Sequence, residues 1–277
     1  MIIESISDEE FNLFRKMIYQ EAGINLTDMK RALLQARITR RCRELSINSF
    51  RGYYDYLQEN YESEKFHFIN AITTNKTEFF REKRHFEFMN EVVLPAFENS
   101  GRRELKIWSA ACSTGEEPYT IAITLLEYFK NKKKPDIKIL ATDIDTNVLE
   151  TASNGVYRKE LVGDMDGLLL KKYFYRGKGE NDGTFKVKES LSELIHFRRL
   201  NLMDSSYPMK GTFSVIFCRN VIIYFDKETQ KRVFRTMHRY LDEDGYLFLG
   251  HSENITSITR DYKIIGSTIY SKAPAGA

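Results

Sequence analysis

Polar and acidic residues stand where apolar runs stop. The run Leu105–Trp108 passes into Ser109-Ala110-Ala111-Cys112-Ser113-Thr114-Gly115-Glu116-Glu117-Pro118. Thr114-Gly115 supplies a tight turn and Pro118 suits the first turn of a helix, so the stretch reads as strand, loop and helix start. Ligands of open α/β sheets bind at such junctions. This loop holds one glycine and lacks the G-x-G-x-x-G pattern that brings a pyrophosphate against the backbone, so a nucleoside-like ligand without phosphate suits it better. Glu116 or Glu117 stands where it could face a cationic group of that ligand, or simply complement the helix dipole.

Two further strand ends carry chemistry. Asp136–Asp143 is followed by Ile144 and Asp145, and a carboxylate at the carboxyl edge of a sheet can accept both ribose hydroxyls. Asp143 is the expected ribose acid, while Asp145 is placed to cap the next helix, so one acid of the pair has a structural role. The apolar run Phe213–Cys218 delivers Arg219, Asn220 and, slightly later, Tyr224 to the same edge. S-adenosylmethionine is a phosphate-free nucleoside of the required kind, with ammonium and sulfonium charges. The Asn/Asp-Pro-Pro-aromatic sequence expected of a nucleic-acid amino-methyltransferase is missing after this strand, which disfavours base methylation. His251 and Ser252 do not belong to a G-x-S-x-G nucleophile elbow, so they read as supports for a loop.

The elements that must position these residues fall into two groups. Up to about Asn90 the pattern is helical. Phe11, Phe14, Met17 and Ile18 recur at three- and four-residue spacing after the cap-like Ser7-Asp8-Glu9-Glu10, and Gly23 closes that helix. Helices are expected over Asp28–Leu45, Ser49–Asn60, Glu64–Ile72 and Glu82–Asn99. After Gly101, strands at LKIWSA, DIKILATD, LIHFRRLN, FSVIFCRN and GYLFLGHS are interleaved with helices at Pro118–Phe129, Asn147–Ser153 and Lys227–Leu241. Such alternation predicts a parallel sheet, and two short strands around Gly266 would add an antiparallel edge. Tyr173-Phe174-Tyr175 and Thr184–Val187 flank a Gly/Asn/Asp-rich turn and predict an inserted β-hairpin.

The expected domains are therefore residues 1–90, all-α with its linker, and residues 91–277, α/β, with a hairpin subdomain at about 171–190. The 277 residues suit two domains. The net charge of +3 is too small to imply nucleic acid by itself. Between Lys30 and Arg43, however, six basic residues occur with no acid, and Lys30, Arg37 and Arg41 share a face of the expected helix. Cys42, Cys112 and Cys218 show no C-x-x-C spacing and read as buried reduced thiols, with neither disulfide nor zinc site. The amino terminus lacks the pattern of a secretory signal and no apolar run approaches membrane-spanning length, so a cytoplasmic protein without membrane insertion is expected.

AITTNKTEFFRE (Ala71–Glu82), WSAACSTGEEPYTIA (Trp108–Ala122), TDID (Thr142–Asp145), FCRNVIIYFD (Phe217–Asp226) and GHSEN (Gly250–Asn254) resemble the CheR family of chemotaxis-receptor glutamate methyltransferases. The resemblance covers nearly the whole chain. It implies a Rossmann-like class I S-adenosylmethionine methyltransferase domain with an inserted small antiparallel β-subdomain, preceded by an all-α N-terminal domain. It further implies methyl-ester formation on glutamates in the cytoplasmic helical domain of bacterial chemoreceptors, with S-adenosylhomocysteine as product and no metal. Carried over by position, Asn75, Thr77, Arg81, Glu117, Asp143, Asn201, Leu202, Arg219 and Asn220 would bind the cofactor. Arg81 and Tyr224 would flank the transferring methyl. Lys30, Arg37, Arg40 and Arg41 would dock the acidic receptor, the hairpin is a candidate seat for a receptor C-terminal peptide, and a monomer is expected. A methyltransferase for a small molecule or another protein would share the Gly115 loop and Asp143 without needing the basic front domain. An inactive signalling module should show changes at Arg81, Asn220 or Tyr224, and this sequence has none.

Overall fold

Apolar residues three and four apart assemble the helical front unit. In the computed structural model, which describes residues 4–273, α1 (Asp8–Ala22) opens on a capping box. The Ser7 hydroxyl accepts from the Glu10 N–H, and the Glu10 carboxylate accepts from the Ser7 N–H. A 3-10 turn at Asp28–Lys30 leads into α2 (Arg31–Glu44), followed by α3 (Phe50–Glu59) and α4 (Tyr61–Ile72). Phe11, Phe14, Ile18, Leu34, Ile38 and Phe68 meet in one buried core. Residues 1–3 and 274–277, the outer ends of the two expected domains, lie outside the described residues.

The helix expected over Glu82–Asn99 is interrupted. It runs as α5 (Arg84–Phe88), a π-helical turn at Met89–Val93, and α6 (Leu94–Asn99). Pro95 explains the interruption, because proline offers no N–H and its ring crowds the carbonyl four residues back, at Glu91. Phe86, Met89, Val93, Leu94 and Phe97 pack into the core of the α/β unit. Packing thus joins this stretch to the α/β unit, whereas the sequence pattern divides the chain at residue 90.

The α/β unit begins with β1 (Glu104–Ser109), α7 (Glu116–Tyr128), β2 (Asp136–Asp143) and α8 (Thr146–Asn154). An insertion follows: β3 (Val156–Arg158), the short α9 (Lys159–Val162), α10 (Gly167–Tyr173), β4 (Phe174–Arg176), β5 (Thr184–Val187) and α11 (Glu189–Ser192). The frame resumes with β6 (Ile195–Arg199), β7 (Phe213–Cys218), α12 (Lys227–Tyr240), β8 (Leu241–Leu249), β9 (Tyr262–Gly266) and β10 (Ile269–Lys272). The main sheet has the order β6-β2-β1-β7-β8-β10-β9. Its first five strands are parallel, and β10 and β9 add the expected antiparallel edge.

The insertion is larger than a hairpin. β4 and β5 do pair antiparallel, but β3 pairs with the other side of β5, giving a three-stranded sheet with β5 at its centre. Its edges are β3 and β4. Tyr157, Tyr173, Phe174 and Val187 bury themselves in the same core as β1 and α7, so the insertion is fastened to the frame.

Gly115, at the start of α7, shows how tight the junction is. Its φ is 97°, and a Cβ there would stand 2.8 Å from the Tyr157 hydroxyl and 2.9 Å from the Cβ of Ala152. Only glycine fits this left-handed turn between the insertion and α8. All three cysteines are buried and free. Among the described residues, no helix is long and apolar enough to cross a membrane.

Candidate active site

β1 and β7 are neighbours in the sheet while the connections from β1 and β7 run to opposite sides, which makes the edge between them the switch point of the fold. A cleft of about 1130 Å3, counted out to its open mouth, lies at that edge. Every residue expected to contact the cofactor or the reacting atoms lines this one cleft. Ala22, Ile24, Leu26, Lys30 and Leu33 of the helical unit also line it, so both units form its walls.

The acids after β2 divide their roles. Asp143 is buried; its Oδ2 accepts from the Ser113 N–H at 2.8 Å and its Oδ1 from the Asp145 N–H at 3.1 Å. Burial pushes its carboxyl up to about 6, against the pull of these backbone donors. Two carboxylate oxygens offer about four acceptor sites, more than these backbone donors fill, so capacity remains for a ribose hydroxyl. Asp145 instead caps α8 through the N–H groups of Asn147 and Val148, and it accepts from Thr73 Oγ1 and Asn75 Nδ2, both at 2.7 Å. The Asn75 side chain is therefore bound to the protein, and its carbonyl accepts from Ser113 Oγ. Asn201 is committed in the same way, with Nδ2 donating to the Glu21 carbonyl and Oδ1 accepting from the Met203 N–H. These two asparagines set the shape of the cleft wall, while Thr77 and Leu202 line it.

At the other end, the Arg219 side chain is 2% exposed and lies 3.0 Å from both Glu117 and Glu82. It also donates to the Arg81 carbonyl at 2.6 Å. Glu117 takes Ser109 Oγ on its second oxygen at 2.7 Å. Burial raises its carboxyl above the ordinary range, although Arg219 and Ser109 oppose the rise. Of the two glutamates at the start of α7, Glu117 lines the cleft, whereas Glu116 is buried and bound to Thr114 Oγ1.

Sequence reasoning missed the groups that hold this end together. Glu82 accepts from Asn220 Nδ2 and the His251 N–H, each at 3.3 Å, besides pairing with Arg219. Burial works to raise Glu82, but Arg219 and these donors prevail and hold its carboxyl below the usual value. Glu253 accepts from the N–H groups of Gly250, Asn220, Ile222 and Ile223, so one buried carboxylate ties the loop after β7 to the loop after β8. Gly250 permits this approach, since a Cβ there would lie 2.3 Å from Asn220 Nδ2. Glu82, His85 and His251 bring ligand-capable atoms within 4.8 Å of one another, and the carboxylate among them is already paired with Arg219. The GHSEN motif does point to this loop: His251 contributes a backbone N–H to Glu82, and Glu253, which the sequence does not single out, contributes the carboxylate.

Arg81 and Tyr224 come from distant parts of the sequence, the segment before α5 and the loop after β7, to one cleft. Arg81 Nη1 donates to the Lys76 carbonyl at 2.9 Å. Tyr224 lies under the Lys30 ammonium, 4.8 Å from its ring centroid, and its carbonyl accepts from the Asn25 N–H at 2.8 Å. Lys30 thus belongs to the cleft. The docking ridge expected of Lys30, Arg37, Arg40 and Arg41 does not form as one free face. Arg37 turns inward, donating to the Ile72 carbonyl and to Thr74 Oγ1. Arg41 pairs bidentately with Glu64, whose side chain is 3% exposed and also accepts from Tyr53. Arg40 alone of the three arginines is largely exposed, at 85%. Helical periodicity groups these cations on neighbouring faces, but α4 supplies the acid that draws Arg41 in.

Removing Arg41 strands a buried carboxylate, so Arg41→Ala should destabilise the protein by about 3 kcal/mol in denaturant unfolding. Arg40→Ala should change stability by less than about 0.5 kcal/mol, as for an exposed pair. Equal effects would contradict the inward role of Arg41. His85 gives a pH prediction. Burial, aided by nearby Arg219, depresses its pKa to about 4 from an ordinary 6.5. The unfolded chain then binds a proton that the folded one refuses, so this contribution to stability is complete above pH 6.5 and shrinks as pH falls toward 4. Asp143, with its raised pKa, works in the opposite direction, so the His85 effect is read by difference. Between pH 7.5 and 5.5, His85→Gln should lose about 1 kcal/mol less stability than the unaltered protein. Parallel losses would show that His85 is not held neutral.

Residues 9–73 match the family described as CheR methyltransferase, all-alpha domain, and residues 75–271 match the family described as CheR methyltransferase, SAM binding domain. The chain is 43% identical over 265 residues to chemotaxis protein methyltransferase 2 of Pseudomonas aeruginosa, covering 96% of this chain and 93% of that one. It is 42% identical over 269 residues to the chemotaxis protein methyltransferase of Salmonella typhimurium, covering 96% and 91%. The Escherichia coli chemotaxis protein methyltransferase is likewise 42% identical over 267 residues, with 96% and 91% covered. By its two matched domains and its identity to these relatives over nearly its whole length, the chain belongs to the CheR family of S-adenosylmethionine-dependent methyltransferases.

Proposed function

We propose that this protein methylates glutamate side chains in the cytoplasmic helical domain of chemoreceptors, using S-adenosylmethionine and releasing S-adenosylhomocysteine. The observation that carries the reading is the charge layout of one cleft. Two well-buried acids, Asp143 and Glu117, share it with the more exposed Arg81, Lys30 and Tyr224. The donor set suits a cationic nucleoside without phosphate: an acid for the ribose, an acid for the ammonium, and no glycine-rich phosphate cradle.

When bound, the cofactor supplies a methyl group activated by a sulfonium. A substrate glutamate, with an ordinary pKa of ~4.3, is already ionised near neutral pH and needs no general base. Transfer to that oxygen would leave the electron pair of the carbon–sulfur bond on sulfur and would require no proton to move, so the residues of the cleft need only hold the reactants in line. The work of the protein is alignment, which can lower such barriers by roughly 7–11 kcal/mol. Arg81 would orient the carboxylate after releasing the Lys76 carbonyl. Tyr224 would hold the attacking oxygen or face the methyl.

Docking in this reading falls to Lys30 and Arg40, while Arg37 and Arg41 serve inside the protein. The edges of the inserted sheet, β3 and β4, are candidate rails for a receptor C-terminal peptide, which would join by strand addition. One copy of the chain supplies every group the reaction needs, so the working unit is a monomer, active in the cytoplasm where the receptor domain lies.

Incubation with methyl-labelled cofactor and receptor-bearing membranes should give protein label that mild base releases as methanol. Base-stable label would exclude a glutamyl ester. Arg81→Ala should lower kcat by about 100-fold while S-adenosylhomocysteine binds within about threefold of normal, since the lost contact belongs to the acceptor. Equal loss in rate and affinity would refute that division.

A further inference from the structure

Glu82 is a buried charge beside the cleft with no part in the reaction as drawn. Its side chain is 9% exposed, and both its oxygens are taken by protein groups: Oε2 by Arg219 at 3.0 Å, Oε1 by Asn220 Nδ2 and the His251 N–H. The backbone is bent to bring it there. Phe80 and Glu82 have φ of 56° and 59°, and Asn220 has φ of 58°, all in the left-handed region that non-glycine residues avoid. Strain of this kind persists only where surrounding contacts hold it.

The charges explain what is being held. Arg219 faces two carboxylates, so Glu82, Glu117 and Arg219 together carry one negative charge in surplus. His85 adjoins Glu82 and is neutral, because burial and Arg219 depress its pKa to about 4. Of the two acids only Glu117 lines the cleft, and its oxygens each take a single protein donor, Arg219 and Ser109. Glu117 is therefore the acid of the pair that a ligand in the cleft can touch.

We propose that Glu82 is a positioning residue: by pairing with Arg219 from the far side, it offsets the guanidinium's charge, so that the site presents a net negative charge at Glu117 to bind the ammonium of the cofactor's amino-acid end. With Glu82 neutral, Arg219 and Glu117 form a one-to-one pair and the cleft loses its net negative charge at that point. This rests on the reading of the cleft as the S-adenosylmethionine site.

Calorimetry with two probes separates this role from a merely structural one. S-adenosylhomocysteine carries the amino-acid end; 5′-methylthioadenosine has the same nucleoside and sulfur without it. Glu82→Gln, which keeps size and hydrogen-bonding capacity, should weaken S-adenosylhomocysteine by about tenfold or more and methylthioadenosine by less than about twofold. Glu82→Asp, which keeps the charge, should restore S-adenosylhomocysteine binding to within about threefold of normal. Glu117→Gln should reproduce the Glu82→Gln pattern, and the double variant should be little weaker than either single one, because the two acids act as a unit. If Glu82→Gln weakens both probes equally, or neither, the proposal is overturned. If Glu82→Asp fails to recover binding, the charge is not what matters and the proposal is again overturned. If the unaltered protein binds neither probe, the cofactor reading falls and this inference falls with it.

Discussion

A guanidinium that is 2% exposed must find its partners inside the protein, because arginine does not give up its proton and an unpaired buried ion costs several kcal/mol. Arg219 follows the last residue of β7, and its position there dictates much of the surrounding chain. One acid comes from the first turn of α7, the other from the segment that enters α5. The donation from Arg219 to the Arg81 carbonyl then fixes the backbone of the very residue assigned to the acceptor carboxylate. Glu253 does for main-chain donors what Glu82 does for a side chain, gathering four N–H groups from the loops after β7 and β8. Two buried carboxylates thus set the geometry of a region in which neither is a reactant.

The segment Thr73–Glu82 is the second dependent feature. It carries no regular secondary structure, yet it is fixed along its length: Arg37 holds Ile72 and Thr74, Asp145 holds Thr73 and Asn75, Ser113 holds the Asn75 carbonyl, and Thr120 accepts from the Phe80 N–H. Arg37 and Asp145 are therefore positioning groups for the cleft wall. Arg37 spends at least two of its donors on this segment, so it is not a free member of a surface ridge. A basic helix face in a sequence counts charges, whereas only the fold shows which of them remain free.

The frame was legible because its strands are long enough to show their pattern and each is followed by a turn or a helix. β3 was not: Val156-Tyr157-Arg158 is too short for alternation to register, and 25 residues of chain separate it from its partner β5. The π turn left its signal in Pro95, but helical periodicity on either side concealed it. At the site, Asp143, Arg219, Asn220 and Tyr224 were readable because polar groups ending apolar strands have a known place in an α/β fold. Asn75 and Thr77 were placed only by family resemblance. Glu82, His85 and Glu253 were not readable as site residues, since their partners lie 137, 182 and 33 residues away in sequence and nothing local marks an acid or imidazole as buried.

An open α/β sheet leaves its ligand edge facing water, and a displacement in which a carboxylate and a sulfonium lose their charges gains from water's exclusion, because water holds the separate ions more firmly than the charge-dispersed transition state. The helical front unit answers that need here. The loop after α1 and the residues up to Leu33 form a wall of the cleft, fastened by the Asn25 N–H on the Tyr224 carbonyl, Tyr19 on Asp226 at 2.6 Å, and Asn201 on the Glu21 carbonyl. These three contacts fall on the loops after β6 and β7, which themselves line the cleft. The same helical residues therefore wall the cleft and, in the proposed reading, would cover the cofactor and, through Lys30 over the Tyr224 ring, border the acceptor's entry. A nucleophile that arrives already ionised asks the protein for alignment and shelter, and in this chain the all-α unit contributes to both.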